Sequence, residues 1–154
     1  MSQQVSAGLA VWRRVSAGPE ILLVHPGGPY WRGKDEAAWS IPKGLAAAGE
    51  DLAAAARREF AEELGIAAPE PQTALSPRKL PGGKVVHAWL AEADLDLSDL
   101  RSNLFEIEWP PRSGRTQAFP EVDQAGYFAR ETALAKAHRG QRPLVAEAFE
   151  RIGS

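Results

Sequence analysis

The sequence predicts an α/β fold of the α+β type, in which a central mixed β-sheet lies between layers of helix. Two observations lead to this prediction. Segments with strand patterns precede and follow one central helical segment, and two further helical segments stand near the end of the chain. No internal repeat, low-complexity tract or long linker divides the sequence, so we expect one domain over residues 1–154.

The first predicted elements are two strands. Residues 6–14 alternate loosely between apolar and polar side chains, which indicates a strand. Gly18 and Pro19 then mark a turn. Residues 21–24 are continuously apolar, which is typical of a strand covered on both faces. We therefore expect these two strands to form a hairpin-like pair.

The middle of the chain predicts a loop, an extended segment and a helix. Residues 26–38 are rich in glycine and charge, which indicates a loop. Residues 39–42 are expected to be extended, because Pro42 disfavours helix at the residue before it. Residues 51–64 consist largely of Ala, Arg, Glu and Leu, which predicts a helix closed by Gly65.

The second half of the chain predicts strands first and helices last. Two strands are expected at 73–80 and 84–93, joined by a Pro-Gly-Gly turn at 81–83. A third strand at 104–109 ends at a pair of prolines, and residues 122–128 form a weaker strand pattern. The chain ends in two helical patterns, which cover 130–138 and 143–152 and are separated by Gly140.

Composition and charge exclude several classes of protein. The net charge of −2 provides no general field for nucleic acid or an anionic membrane, so a polyanionic ligand needs a local metal or a few basic side chains. The absence of cysteine excludes disulfides, thiolate zinc sites and cysteine catalysis. There is neither a signal-peptide pattern nor an apolar run of about 18 residues. We therefore expect a cytoplasmic protein.

The central helix carries three crowded glutamates. On a helical projection its apolar residues form one arc that is expected to pack on the sheet: Leu52, Ala53, Ala56, Phe60 and Leu64. Glu59, Glu62 and Glu63 cluster at the edge of this arc as helical neighbours. Their charges repel one another and lose hydration near the core, a conflict that a bound divalent cation removes. Oxygen ligands favour Mg²⁺ or Mn²⁺, although these three residues alone also fit a solvated helix face.

The residues around the glutamates narrow these alternatives. Gly44 is followed after five residues by Glu50, and after seven more by the run Arg-Glu-Phe-Ala-Glu-Glu-Leu-Gly-Ile at 58–66. This spacing fills every fixed position of the Nudix box, so the chain resembles the Nudix hydrolase superfamily. Other segments resemble a bacterial subgroup of predicted nucleoside triphosphate pyrophosphohydrolases; they are residues 25–29, 102–106 and 109–115. The resemblance implies a Nudix-like α/β/α sandwich.

The resemblance also implies a metal site and a mechanism. Glu59 and Glu63 would be the principal ligands of Mg²⁺ or its substitute Mn²⁺, with Glu62 as a ligand or base and the Gly44 carbonyl as a further ligand. Arg58 would orient the glutamates, and the box glutamate at position 50 would brace the loop. A metal-activated water would then attack a phosphorus atom of the diphosphate.

Candidate residues outside the box have two interpretations each. Residues 119–123 resemble a segment that supplies an additional catalytic acid, which makes Glu121 a candidate; its alternative is an exposed loop acid. Lys43, Arg112 and Arg115 could contact phosphates or be solvated. Lesser candidates are the acids Glu106 and Glu108 and the aromatic residues Trp31, Trp39, Trp109 and Tyr127. His25, His87 and His138 show no metal-ligand spacing.

These expectations lead to a function with open alternatives. The favoured function is Mg²⁺-dependent hydrolysis of a diphosphate bond in a nucleoside triphosphate or another nucleoside diphosphate derivative. The alternatives are a dinucleoside polyphosphate hydrolase and a non-catalytic module that senses a nucleotide. An RNA-binding domain is disfavoured by the net negative charge and by the lack of a dense basic stripe. The expected partner is a small nucleotide, and the oligomeric state, homodimer included, stays open.

Overall fold

The computed structural model describes residues 4–80 and 82–153. Its strands are β1 (Val5–Val15), β2 (Gly18–Pro26), β3 (Lys43–Leu45), β4 (Thr73–Ala74), β5 (Arg78–Lys79), β6 (Val85–Glu92), β7 (Leu104–Glu108), β8 (Thr116–Pro120) and β9 (Val122–Ala129). Its α-helices are α1 (Leu52–Leu64), α2 (Arg130–Lys136) and α3 (Arg142–Ile152), and short 3₁₀ turns lie at Leu97–Asp99 and Arg139–Gln141. Within the described residues, no helix is long and apolar enough to cross a membrane.

The predicted mixed sheet is confirmed, and β1 lies at its centre. Over the described ranges the main sheet has seven strands in the order β4-β6-β1-β2-β9, with β3 paired to β1 and β5 to β6. The pairing of β1 with β6 is parallel, whereas β2 and β3 both pair with β1 antiparallel. The expected hairpin-like pairing of the first two strands is therefore present. β7 and β8 form a separate two-stranded hairpin.

The strand alternation divides the core into two layers. On β1, Leu9 belongs to the cluster that includes α1, while its neighbour Ala10 belongs to the cluster that includes α2 and α3. On β2, Leu22 and Leu23 divide in the same way. Successive side chains of a strand point to opposite faces, so both strands are covered by helix on each side. This confirms the sandwich architecture.

Helix α1 has clear capping residues at both ends. The Asp51 carboxylate accepts from the Ala54 N–H at 3.0 Å, and Gly65 adopts a left-handed conformation with φ of 68°. The buried face differs from the projected arc. Ala55, Ala56, Phe60 and Leu64 are buried, whereas Leu52 and Ala53 are only half-buried at the rim. The buried face is therefore rotated toward Ala55, because the sheet and not the helix alone determines the contact.

Several strand boundaries differ from the sequence prediction. The single strand expected at 73–80 is two short strands, because the Ser76 N–H between them donates to the Glu147 carboxylate of α3 instead of to β6. Residues 39–42 form only isolated bridges, one of them between Ser40 and Val24. The weak pattern at 122–128 becomes the full-length strand β9. The expected turn at 81–83 falls partly outside the described residues, because Pro81 is not among them.

Candidate active site

Strand β3 brings its backbone into direct contact with a glutamate of α1. Gly44 lies opposite Ala7 of β1, on the sheet face that packs against α1. A Cβ atom added at Gly44 would lie 1.9 Å from a carboxylate oxygen of Glu59. Only glycine allows this approach. The Glu59 side chain is 14% exposed, so its carboxylate is held between the helix and the strand.

Glu63 lies one turn further along α1 and faces the edge of β3. Its Oε1 accepts from the backbone N–H of Lys43 at 2.8 Å. Burial raises the pKa of Glu63 to about 8, and the Lys43 N–H and ammonium only partly oppose this effect. Glu121 and Glu59 raise the pKa further through repulsion. A half-buried carboxylate in an acidic neighbourhood is poorly compensated by the protein, which leaves a position suited to a cation.

Arg58 connects three carboxylates of the box. Its guanidinium donates to Glu50 at 2.9 and 3.0 Å, to Glu59 at 2.9 Å and to Glu62 at 3.3 Å. Glu50 also accepts from the Ala47 N–H at 2.9 Å, which ties the loop before α1 to the helix. The pKa of Glu50 is lowered to about 2, chiefly by its hydrogen bonds from Arg58. Arg58 and Glu50 therefore join the loop before α1 and the first box glutamates in one hydrogen-bonded network.

Glu121 lies near the box glutamates although it is distant in sequence. Its backbone N–H donates to the Asn103 carbonyl at 2.8 Å, and its own carbonyl accepts from Gly27 at 3.0 Å. Asn103 in turn donates to the backbone carbonyl of Glu62 at 3.1 Å, next to the end of α1. Partial burial raises the pKa of Glu121, and repulsion from Glu59 and Glu62 adds to this shift. The residue is nevertheless exposed, so its carboxylate lies on the open side of the acidic group.

Lys43 is close to this site, whereas the two candidate arginines are not. Lys43 is half-buried; burial lowers its pKa, and the charges of Glu63 and Glu59 oppose that effect. Arg112 and Arg115 lie at the exposed tip of the β7–β8 hairpin, whose other end adjoins Glu121. The tip is five residues along the strand from the end next to Glu121, which is about 17 Å of strand length at roughly 3.4 Å per residue.

The remaining candidates have mainly structural contacts. The Glu108 carboxylate accepts from backbone N–H groups of the hairpin turn, and Glu106 is exposed on β7. The Tyr127 hydroxyl donates to the Ala93 carbonyl at 2.7 Å and accepts from Leu95, so this ring is held in the core. Trp39 is also buried, while Trp109 contacts the loop that follows β2.

Sequence reasoning missed the role of His25 in this region. Its buried ring lies between Asp123, with Nδ1 at 2.7 Å from Oδ1, and the backbone carbonyl of Lys34. Both neighbours accept hydrogen bonds, so this geometry is satisfied when both ring nitrogens donate. The ring thereby ties the loop after β2 to the start of β9, which follows Glu121. The one signal in the sequence was a histidine at the end of a buried strand.

The chemistry of the donor set fits a hard divalent cation. Glu59, Glu62 and Glu63 supply only oxygen donors, and the backbone of Gly44 touches the first of them. In the described part of the chain, no three acidic or histidine side chains are yet gathered closely enough to hold a metal ion. Glu59 and Glu62 are instead turned toward Arg58, which compensates their charge.

Comparison with known proteins identifies a family and relatives. The model of the NUDIX domain matches residues 3–148. An RNA pyrophosphohydrolase of Caulobacter vibrioides is 42% identical over 55 residues, a match that covers 32% of this chain and 32% of that protein. The chain thus spans about a third of the length of the curated relatives it matches.

Solved structures show the same fold at low sequence identity. An Ap4A hydrolase of C. elegans in a binary complex has a TM-score of 0.62 and 23% identity, with 97% of this chain and 96% of that chain covered. The NUDIX domain of Shewanella oneidensis NrtR complexed with ADP ribose has a TM-score of 0.64 and 15% identity, with 99% and 90% covered. A mutT/nudix family protein from Listeria innocua has a TM-score of 0.65 and 18% identity, with 99% and 95% covered.

Proposed function

Because the chain belongs to the NUDIX family, we propose that it hydrolyses a diphosphate bond in a nucleoside triphosphate or another nucleoside diphosphate derivative. The family and its hydrolase members support a pyrophosphohydrolase. The observation that carries the proposal is the inward position of two box glutamates. Glu59 touches the backbone of Gly44 and Glu63 binds the N–H of Lys43, where a helix built only for stability would carry apolar side chains.

The box residues would hold a divalent cation, with Mg²⁺ as the expected ion and Mn²⁺ as a substitute. Glu59 and Glu63 would be the principal ligands, with Glu62 and the Gly44 carbonyl as further ligands. When bound, the cation neutralises phosphate oxygens and lowers the pKa of a water molecule. Arg58 then keeps the carboxylates oriented through its hydrogen bonds to Glu59 and Glu62.

The other residues of the site would orient the diphosphate and accept a proton. Lys43 lies beside Glu63 and would contact a phosphate oxygen, which compensates its half-buried ammonium. Glu121 lies on the open side of the acidic group and, with Glu62, is a candidate to take the proton of the attacking water. The backbone hydrogen bonds of Glu121 to Asn103 and Gly27 would fix its position during this step.

Substitution of the inward glutamates tests the proposal directly. Glu63→Gln keeps the shape of the side chain but removes its charge, so we expect kcat to fall roughly 10²–10⁴-fold, the range for loss of a key catalytic group. Glu62→Gln should also lose most of its activity. Glu70→Gln is the matched control, because Glu70 is exposed and, among the residues that the structure describes, its one ion pair is with Arg57. The measurement is the rate at which phosphate or diphosphate is released from ATP and related nucleotides in the presence of Mg²⁺. If Glu63→Gln hydrolysed them at the parental rate, the assignment of Glu63 to the active site would be wrong.

Metal binding can also be measured without turnover. A cation that binds only the folded protein stabilises it by about 2.7 kcal/mol at 100 times its Kd. We therefore expect Mg²⁺ to raise the Tm of the parent protein, and a chelator to reverse the increase. The Glu59→Gln/Glu63→Gln double variant should show no increase. An equal increase in parent and double variant would place the cation elsewhere.

A second candidate is a module that binds a nucleotide without hydrolysing it. The NUDIX domain of NrtR in complex with ADP ribose provides the precedent for a ligand of this kind on this fold. In this chain every box glutamate is present, which favours the hydrolase. Tight binding of ADP-ribose with no phosphorus product in Mg²⁺ or Mn²⁺ would instead support the sensing module.

A further inference from the structure

A short segment, residues 101–103, lies against the C-terminal end of α1. The Arg101 N–H donates to the Leu64 carbonyl at 2.8 Å, and the Asn103 N–H donates to the Glu62 carbonyl at 3.1 Å. The last carbonyls of an α-helix have no partner within the helix, so these two bonds also satisfy the end of α1. The segment is therefore attached to the helical turn that carries Glu62.

The last glycine of the box makes this attachment close. Gly65 ends α1 in the left-handed conformation, and a Cβ atom added to it would lie 2.3 Å from the carbonyl oxygen of Arg101. Any side chain at Gly65 would therefore push residues 101–103 away from the helix. The position of the segment relative to the box glutamates is set by direct contact with the box.

The same segment also holds the backbone on both sides of the Glu121 side chain. The Glu121 N–H donates to the Asn103 carbonyl at 2.8 Å. The N–H of the next residue, Val122, donates to Oγ of Ser102 at 2.9 Å. Asn103 thus connects the backbones of Glu62 and Glu121 through its own N–H and carbonyl, so one residue and two hydrogen bonds set their separation.

Among these contacts, only the Ser102 hydroxyl belongs to a side chain. The Glu121 carbonyl accepts from the Gly27 N–H at 3.0 Å, on the side of β2. The C=O and N–H of a trans peptide point in opposite directions, so the N–H of Val122 faces away from β2. Val122 is 3% exposed and begins β9, the outermost strand of the described main sheet. Ser102 supplies the acceptor that a further strand would otherwise provide for this buried N–H.

The backbone is what determines the position of the Glu121 carboxylate. In the part of the chain that the structure describes, the carboxylate has no hydrogen-bond donor of its own, and its electrostatic neighbours are Glu59 and Glu62. Transfer of a proton from water requires the carboxylate within hydrogen-bond reach, and a misplacement of about 1 Å can lower a rate up to roughly 10²-fold. A small rotation of the peptide group after Glu121 would therefore affect turnover.

We propose that Ser102 is a positioning residue for Glu121. Its hydroxyl fixes the peptide group that follows Glu121 and thereby holds the carboxylate where it can take the proton of the attacking water. This inference rests on the proposed function and deepens it, because it assigns to Ser102 a part in the step that involves Glu121. Ser102 itself touches neither the substrate nor the metal.

Steady-state kinetics in Mg²⁺ test this inference, with whichever of ATP, diadenosine tetraphosphate and ADP-ribose the parent hydrolyses fastest. Ser102→Ala should lower kcat about tenfold and leave KM within about twofold, because the residues proposed to bind the diphosphate do not contact Ser102. Ser102→Thr keeps the hydroxyl and should restore most of kcat. Ser98→Ala is the matched control, since the exposed Ser98 hydroxyl donates within its own turn to Asp96 at 2.7 Å.

A double-mutant cycle separates positioning from a general loss of structure. In the Glu121→Gln background, Ser102→Ala should lower kcat less than about twofold, because no carboxylate remains to be positioned. A purely structural effect would lower kcat by the same factor in both backgrounds. The increase in Tm caused by Mg²⁺ should be equal in Ser102→Ala and the parent, because residues 101–103 contact only the backbone of Glu62.

A second variant covers the case in which Ser102→Ala unfolds at the assay temperature. Ser102→Cys preserves the size of the side chain but offers a weak acceptor, so it should also lower kcat selectively. Parental kcat in the folded Ser102 variants, or an equal loss of kcat with and without the Glu121 carboxylate, would overturn the inference. Loss of the Mg²⁺-dependent increase in Tm in Ser102→Ala would also overturn it, because Ser102 would then act through the metal site.

The outcomes distinguish this inference from the proposed function. If Glu121→Gln kept the parental kcat in an enzyme that Glu63→Gln inactivates, the role of Ser102 would be overturned and the box would keep its assignment. Parental activity of Glu63→Gln would instead refute the proposed function on which the inference rests.

Discussion

Gly44 is the residue at which a single added methyl group has the most direct effect on the site. The Glu59 carboxylate occupies the space next to Gly44 that a Cβ atom would need. An added Cβ would lie 1.9 Å from Oε2 of Glu59. The φ of Gly44 is not in the left-handed region, so alanine fits the strand backbone itself. We therefore expect Gly44→Ala to displace Glu59 and to lower kcat at least about tenfold, with little change in Tm.

This prediction separates a local from a global effect. Gly126→Ala on β9 is a suitable comparison, because its added Cβ would meet only the tip of the Phe128 ring at 3.0 Å. Activity and Tm of both variants should be measured together. A Gly44→Ala variant that retained the parental kcat would show that close contact between Glu59 and β3 is not required for turnover.

His25 provides a second prediction at the level of one side chain. The buried His25 ring makes two hydrogen bonds, each of which contributes roughly 0.5–1.5 kcal/mol to stability. We expect His25→Gln to lower the free energy of unfolding by about 2 kcal/mol and to loosen the loop after β2. Denaturant unfolding measures the first effect and hydrogen exchange at Lys34 and its neighbours the second.

A spectroscopic result would contradict this account of His25. Nitrogen NMR of the folded protein should show a proton on Nε2 of His25, because the Lys34 carbonyl can only accept a hydrogen bond. A ring with no proton on Nε2 would remove the basis for this hydrogen bond. His138, which accepts from the Gly140 N–H through Nδ1, serves as an internal comparison.

Among the elements, helix α1 is the one that local sequence specifies most completely. Its start at Asp51 and its end at Gly65 are local signals that the structure has, whereas its buried face is rotated toward Ala55 from the projected arc. Removal of the N-cap by Asp51→Ala should cost about 1 kcal/mol of unfolding free energy and leave the glutamates in place. Thermal denaturation checks the cost; a parental Tm would show that tertiary packing alone fixes the first turn.

The strands β3 and β8 show what local sequence does not specify. β3 is three residues long, and β8 consists of five residues of which three are exposed, so neither has an apolar alternation to detect. Each exists because a partner strand supplies its hydrogen bonds, β1 in one case and β7 in the other. Pairing is a non-local property, and the position of the β7–β8 hairpin depends on it. The positions of Arg112 and Arg115 relative to the box could not be inferred from their place in the sequence.

At the scale of the whole molecule, Glu147 connects helix α3 to the β4–β5 segment of the main sheet. Its buried carboxylate on α3 accepts from the Ser76 N–H and hydroxyl, and pairs with Arg78 and Arg151. Burial acts to raise its pKa, but the Ser76 and Arg78 contacts outweigh this effect, so the pKa of Glu147 is lowered below its ordinary 4.5. The charged form is therefore the one that the fold stabilises.

This shift predicts a pH dependence of stability. A carboxylate with a lowered pKa in the folded state contributes stability above its unfolded pKa, and that contribution is lost as the pH falls through the folded value. Glu147→Gln should therefore lower the Tm at pH 7, and the difference from the parent should shrink below about pH 4.5. The exposed Glu150 on the same helix supplies the control Glu150→Gln. A difference that stayed constant down to pH 3 would exclude ionisation of Glu147 as its cause.

A feature could be predicted from the sequence when the residues that form it are close together in the chain. The family, the mixed sheet and the central helix were predicted because the Gly44-to-Ile66 spacing is contiguous and dense in information. The helical projection correctly placed Glu63 next to the apolar arc of α1. The buried face itself lies closer to Ala55 than the projected arc did. The approach of Glu121, the contacts of His25 and the meeting of Tyr30 with Trp109 each depend on strands that are distant in sequence. Residue roles, cytoplasmic location and the single domain remain predictions.

The pairing pattern of the central sheet also has a consequence for the order in which the chain can fold. Val5 on β1 pairs with Val85 on β6, and Glu20 on β2 pairs with Ala129 on β9. The residues of the box are contiguous and are synthesised together. Strands β6 and β9, which complete the sheet beneath them, are synthesised later. Sheets with such non-local contacts fold slowly, because long loops must close first. During that interval the apolar face of α1 is covered only by the incomplete sheet of β1, β2 and β3, so a nascent chain stalled before β9 would be prone to aggregate.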